Sequence, residues 1–372
     1  MLKKIFIMIL SAIIFTAPAY AEEEIWQPEI KLGILSGVNS VELQMSAPCV
    51  IIEVNSRKVL QKIPANSKFT IYVDSMKTDS VEIRSEDVFL KDLITVINGK
   101  KYFGGVQINK KNNSLTVINL APVEEYLRGV VPNEMSPSFH AEALKAQTVA
   151  ARSYTLKNRD RHKSEGYDLC TTNHCQYFAG VDSAKTTTDE IIKNTRGEVL
   201  LRNGRIVDTN FHTDSGGMTE NVAEVWGSHS PHLQAVAELE KNTYPWTKEF
   251  SVEDFSNKIG GIGNLKKINL SPLKVGKSAA DRSTSGRVKT AQFVGSNKTL
   301  QLTGNELRSK FSLPSTLFDI KLSSGKIIFE GYGYGHGVGM SQNGANAFAK
   351  SGWNYEKILL HYYQGTKLKK LY

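Results

Sequence analysis

The stretch "SPSFHAEALKAQTVAARSYTLKNR", residues 136–159, constrains the fold more than any other. It is rich in strong helix formers and contains no glycine and no interior proline. Ser136 stands as its candidate N-cap and Pro137 at its first helical position, which predicts about six turns of helix. Just upstream, Pro122 and "VEEYL" predict a short helix ending near Gly129, because Pro132 cannot continue it. Glu134 therefore falls in a tight joint between two helices, among Val130, Val131, Pro132 and Met135. A charge in such an apolar joint is either a satisfied loop carboxylate or an acid with a chemical role.

Around this joint the chain divides by pattern. Residues 22–105 read as short alternating strands ("IKLGILS", "SVELQMS", "CVIIEV", "FTIYV", "VEIRS") set off by turn residues, a small β-rich domain. Residues 106–235 are mixed helix and strand and carry Glu134; within them "RNGR" is a hairpin turn. Residues 236–329 are a lysine-rich mixed α and β insertion without a catalytic constellation, in which "GRVKTAQFVG" and "KTLQLTG" read as a hairpin. Residues 330–372 return to the core, with Asn354 as a helix N-cap and Gly365 as its stop. The expected class is α+β: a β-rich N-terminal region, then a mixed catalytic core with an inserted second lobe and a groove for substrate.

Residues 1–21 have two lysines, an apolar run of roughly a dozen residues and a small-x-small site at Ala19-Tyr20-Ala21, the layout of a cleavable secretory signal. A retained anchor is the alternative, although the run is shorter than the ~20 residues a spanning helix needs. Cleavage would remove Lys3 and Lys4 and take the formal charge from +9 to +9 − 2 = +7. A basic exported protein meets wall polymers and lipid head groups, and no module for nucleic acid is recognisable.

Cys49, alone in the strand-like "SAPCVIIEV", reads as a buried small hydrophobe. Cys170 and Cys175 are accompanied by His162 and His174. Spacing alone leaves a short disulfide and a tetrahedral metal site equally open. "GYGYGHGVGMSQNGANAF" has glycine at 331, 333, 335, 337 and 339, which as an extended strand would leave one face bare and line the other with Tyr332, Tyr334, His336 and Val338. Ser341 can cap the helix that follows, and Gln342 opens it.

Six motifs, "EEYLRGVVPNEM", "EALKAQTVAARSYTL", "TDSGGMTENVAEVWG", "SGRV", "LTGNELRSKFSLPST" and "GYGHGVGMSQNGA", together resemble the stage II sporulation protein D family, which includes the amidase enhancers. The resemblance runs from about residue 100 to the end. It implies an envelope protein acting on peptidoglycan, and in the sporulation branch a lytic transglycosylase that cuts glycan strands stripped of stem peptides. It implies Glu134 as the catalytic acid, with no second carboxylate required. It implies Lys145 and Arg152 as groove cations that orient Glu134 and hold the sugar, with Ser215, Tyr334, His336 and Gln342 as further substrate contacts. It also implies a structural zinc held by His162, Cys170, His174 and Cys175. Two other functions stay open: a non-catalytic glycan-binding enhancer of a cell-wall amidase, and a zinc-dependent amidase. The cleavable signal departs from the anchored sporulation proteins and bears on the role, in spore formation or vegetative wall turnover, more than on the chemistry.

Overall fold

The computed structural model describes residues 27–87 and 92–372, so the expected signal segment lies outside the described residues. Among the described residues no helix is long and apolar enough to cross a membrane. Strands and helices are mixed through several separate sheets, an α+β fold.

The N-terminal part is built from two sheets. In the larger, seven strands lie in the order Leu169–Cys170, Glu29–Val38, Ser114–Pro122, Gly105–Lys111, Ser80–Ser85, Cys49–Glu53, Val59–Ile63. The smaller has Lys68–Tyr72, Ser40–Met45, Ile94–Ile97 and Lys100–Phe103. Alternating residues such as Val41, Leu43 and Met45 point inward into the core they share. Cys49 is among them, fully buried. Ser114–Pro122, placed by sequence with the mixed core, pairs along Glu29–Val38 with Leu32 opposite Asn119, so the β-rich region continues to Pro122. Leu169–Cys170 adds in parallel on the other side of Glu29–Val38. This fixes the start of the cysteine loop to a sheet edge.

The helices are α1 (Val123–Arg128), α2 (Val131–Glu134), α3 (Ala141–Lys157), α4 (Thr186–Asn194), α5 (Val222–Trp226), α6 (Val252–Lys258), α7 (Gly304–Phe311), α8 (Gln342–Lys350) and α9 (Tyr355–Tyr362). In α3, 12 of 17 residues are buried, so it is a central helix enclosed by neighbours rather than a surface one. Its fully buried Ala143, Ala146, Ala150 and Ala151 have little bulk and allow α8, α9 and α4 to approach closely. The helix starts four residues later than Ser136 predicts. Ser136 instead closes a turn, its carbonyl accepting the Phe139 amide at 2.9 Å, and His140 caps the helix by accepting the Glu142 amide on Nδ1. The expected caps Asn354 and Ser341 are in place. The hairpin at Asn203-Gly204 has positive φ at both positions, as a two-residue turn of this type requires.

Residues 246–331 carry their own core, in which Phe255, Phe293, Phe311, Phe318 and Phe329 pack ring to ring. Each buried phenyl contributes about 1.5–3 kcal/mol. Its hairpin pairs Thr290–Gly295 with Thr299–Thr303, Phe293 opposite Leu300. The glycine-rich stretch that follows is not an extended strand. Gly333, Gly335, Gly337 and Gly339 all have positive φ, and the chain winds against the segment Asn210–Gly217. A methyl group at Gly339 would come within 2.0 Å of the Asn210 carbonyl oxygen, and one at Gly337 within 2.5 Å of the Arg287 guanidinium. The glycines are required for close packing of two loops, not for an open face.

Candidate active site

Glu134 is the last residue of α2, a single turn with Pro132 in its first positions that stops where Met135 turns extended. Val130, Val131 and Met135 are buried and anchor this turn, while Glu134 between them is only partly covered and lines a cleft of about 930 Å³. Oε1 accepts the Tyr177 amide at 3.1 Å, and the Gln342 side chain also hydrogen-bonds the carboxylate. Burial is the strongest influence and pushes the Glu134 carboxyl above the usual glutamate range, against the smaller opposite pull of these two hydrogen bonds. Among the described residues no lysine or arginine forms an ion pair with it. The result is a carboxyl poised to hold and release a proton.

The cleft brings together several elements. Lys157 and Arg161 line it from the end of α3, and Trp226 and Tyr334, both about half-exposed, offer ring surface. Asp208 lines it too, its Oδ1 accepting the Asn158 amide at 2.8 Å. The cleft therefore contains a second carboxylate that the motifs did not announce. His336 also lines it, with Nδ1 accepting the Val338 amide at 3.0 Å. Burial and the nearby Arg308 and Arg287 push its pKa down to about 4, so the ring is neutral at ordinary pH.

His162, Cys170, His174 and Cys175 converge beside Glu134, and one ligand atom from each lies within 4.8 Å of all the others. Cys175 Sγ is 3.4 Å from His162 Nε2, and His174 Nδ1 is 3.7 Å from both sulfurs. Bonds of about 2.3 Å to sulfur and 2.0 Å to nitrogen in a tetrahedron place neighbouring ligands about 3.5 Å apart, so the donor set fits zinc. His162 Nδ1 meets Glu165 at 2.6 Å, and Tyr167 donates to the other Glu165 oxygen. A carboxylate behind a histidine in this way fixes the tautomer that leaves Nε2 free to bind metal. The loop runs on through buried Gln176, which accepts from the Tyr126 and Thr155 hydroxyls, to the Tyr177 amide that holds Glu134. Phe178 then packs on Gly129, where a side chain would meet its ring at 2.4 Å. The cluster and the acid are thus parts of one braced unit.

Of the residues marked by sequence, Glu134, Tyr334, His336 and Gln342 come together, with the cysteine–histidine cluster at the rim. Three do not join them. Arg152 is fully buried and forks onto Glu124, with Nε to Oε1 at 2.9 Å and Nη2 to Oε2 at 2.8 Å. The Tyr372 hydroxyl and the Gly197 amide complete that carboxylate's shell, and Arg152 also donates to the Glu198 carbonyl. Such a guanidinium cannot reach a ligand. Lys145 is drawn to Glu142 at 2.7 Å and lies over the Tyr355 ring, away from the cleft. Ser215 donates to Glu238 in a separate cavity. Lys157, Arg161, Asp208, Trp226 and the Tyr177 amide were missed as site groups; only Trp226 falls in one of the quoted motifs, and nothing local marks the others.

Residues 111–201 match the profile of the family described as stage II sporulation protein, and 204–339 that of a domain of unknown function. Stage II sporulation protein D of Bacillus subtilis is 31% identical over 268 residues, covering 66% of this chain and 74% of that protein. The amidase enhancer of the same organism is 30% identical over 346 residues, 80% of this chain but 48% of that longer protein. An uncharacterized protein of Brachyspira hyodysenteriae is 32% identical over 281 residues, 73% of each. With this extent of identity over a fold that keeps the motif acid in its cleft, the chain belongs to the stage II sporulation protein D family.

Proposed function

We propose that the protein is an exported peptidoglycan lytic transglycosylase of wall remodelling associated with sporulation. It would cut glycan strands, stripped of stem peptides, between N-acetylmuramic acid and N-acetylglucosamine. The observation that carries the reading is the state of Glu134: a carboxyl raised by burial, without an ion-pair partner among the described residues, facing a cleft large enough for saccharides. Its proton goes to the glycosidic oxygen as the bond from C1 breaks. The resulting carboxylate takes the proton of the muramic C6 hydroxyl while that oxygen closes onto C1, leaving a 1,6-anhydro end. One group serves both steps, and no water is consumed. The Tyr177 amide and the Gln342 side chain hold the carboxylate and stabilise its charged form between the steps. Trp226 and Tyr334 supply apolar ring surface for sugars, and Lys157 and Arg161 suit the lactyl carboxylates of the strand.

We assign the cysteine–histidine cluster to a structural zinc. Four protein ligands leave no open position, so the metal when bound would act as a crosslink that stiffens the loop carrying Tyr177. The amidase-enhancer relative supports a second reading, a glycan-binding stimulator of an amidase partner. Digestion of denuded strands, followed by mass spectrometry of the ends, separates the two. Anhydro ends from the wild type and none from Glu134→Gln are expected. If the wild type yields none yet stimulates an amidase, the enzyme reading fails; free stem peptides released from intact, peptide-bearing peptidoglycan would favour the zinc amidase instead.

A further inference from the structure

Tyr244 is an exposed aromatic residue in a conformation that a bulky side chain seldom adopts. Its φ is 52°, and the residue is 45% exposed. Left-handed backbone at such a residue costs on the order of 1–3 kcal/mol and persists only where neighbours impose it. The neighbours are visible. The Gly333 amide is shared between the Thr243 and Tyr244 carbonyls at 3.0 and 3.1 Å, the Asn242 amide donates to the Gly216 carbonyl, and Thr243 donates its hydroxyl to Asp214 at 2.6 Å. The turn is pinned to the glycine loop and to Asp214–Gly217, and it holds the Tyr244 ring outward.

The ring stands edge-on to Tyr334, centroids 5.5 Å apart. Tyr334 lines the cleft of Glu134, whereas Tyr244 lines a second cavity of about 440 Å³. The tyrosine pair is therefore the boundary between the two. The second cavity is walled by hydrogen-bonding groups, with Asp214, Glu238, Asn343 and Asn346 among them. Asp214 is held by the Gly216 amide, the Thr243 hydroxyl and the Asn343 side-chain amide, and Glu238 by the Ser215, Tyr362 and Ser341 hydroxyls. Both carboxyl groups are fixed in place and retain acceptor capacity. Burial pushes the Glu238 carboxyl up to about 7, which suits a neutral hydroxylated ligand better than a cation.

We infer that Tyr244 and this cavity form a distal saccharide subsite, in which the ring stacks on a sugar of the strand and the Asp214, Glu238 and Asn343 groups take its hydroxyls. The glycan would then run from the cleft of Glu134 across the tyrosine pair. This inference rests on the glycan reading of that cleft.

The test uses Tyr244→Gly in the mature chain, with Glu134→Gln in every protein compared to prevent turnover. Glycine accepts the left-handed backbone without strain, so stability is not lowered by that route. Binding of peptide-free glycan oligosaccharides, from disaccharide to octasaccharide, is measured by calorimetry. Affinity of the protein retaining Tyr244 should rise with length. Tyr244→Gly should weaken the longest oligosaccharide about tenfold and the disaccharide less than twofold, and Tyr244→Trp should restore the difference. Equal losses at every length, or none, would overturn the subsite. If no oligosaccharide binds the protein retaining Tyr244, the glycan reading fails and the subsite with it; if they bind and Tyr244→Gly behaves identically, only the subsite fails.

Discussion

Replacing Arg152 by methionine separates a structural role from a substrate-binding one. The substitution keeps a long apolar stem but leaves Glu124, 4% exposed, with the Tyr372 hydroxyl and the Gly197 amide and no counter-charge. Removing one partner of a buried pair costs about 3–5 kcal/mol, a large share of the roughly 5–15 kcal/mol that holds a protein folded. Urea unfolding at pH 7, followed by the fluorescence of the four tryptophans, should show a loss of that size. Removing the second charge as well, in Glu124→Gln/Arg152→Met, should recover about 1–3 kcal/mol, because the two groups are directly coupled. Affinity for glycan, measured on whatever fraction remains folded, should change less than twofold. If Arg152→Met unfolds within about 1 kcal/mol of the wild type yet loses glycan affinity, the guanidinium does meet substrate and the structural argument is wrong.

Glu134→Gln should lower anhydro-product formation by about 10²–10⁴-fold, and the alkaline limb of the wild-type rate profile should lie above the range of an ordinary glutamate, since the acid must be protonated. The raised pKa also has a stability consequence: the wild type should lose stability relative to Glu134→Gln as pH rises through the Glu134 pKa, and the two should converge below about pH 4, where the carboxyl is neutral folded or unfolded. Elemental analysis should find one zinc per chain, absent in Cys170→Ser, with chelation lowering both melting temperature and activity; retention of zinc in that variant would dismiss the cluster. Asp208→Asn should keep anhydro products and lose less than about tenfold in rate. A collapse like that of Glu134→Gln would instead indicate two-carboxylate hydrolysis, with reducing ends as product.

What could be read from sequence was what depends on near neighbours. Glu134 stood out because its surroundings, Val130 to Met135, are contiguous with it. Asn203-Gly204, Asn354 and Ser341 act on residues within a few positions, and their hydrogen bonds are where local chemistry puts them. Arg152 was misread because its partner lies on another helix; on a sequence it is a cation among helix formers like any other. The glycines of 333–339 were misread for a similar reason. Their spacing of two imitates a strand, whereas their cause is backbone from residues 210–217 and the Arg287 side chain pressing against them. Ser136 lost the capping position to His140 because the intervening residues closed a turn of their own. Asp208 and the Tyr177 amide reach the cleft only through tertiary packing, and no local pattern could have marked them.

The Tyr372 hydroxyl reaches Glu124 across 248 positions of sequence, and the strand Lys367–Lys370 closes beside Glu198–Arg202. Gln342, from the same late region, completes the surroundings of Glu134. Contacts so distant along the chain are slow to form, because the intervening loop must be closed before they contribute. A chain whose residues 342–372 have not yet docked therefore lacks both the Tyr372 hydroxyl on Glu124 and the Gln342 side chain on Glu134. Under the proposed function, the centre around Glu134 would be complete only once residues 342–372 have docked.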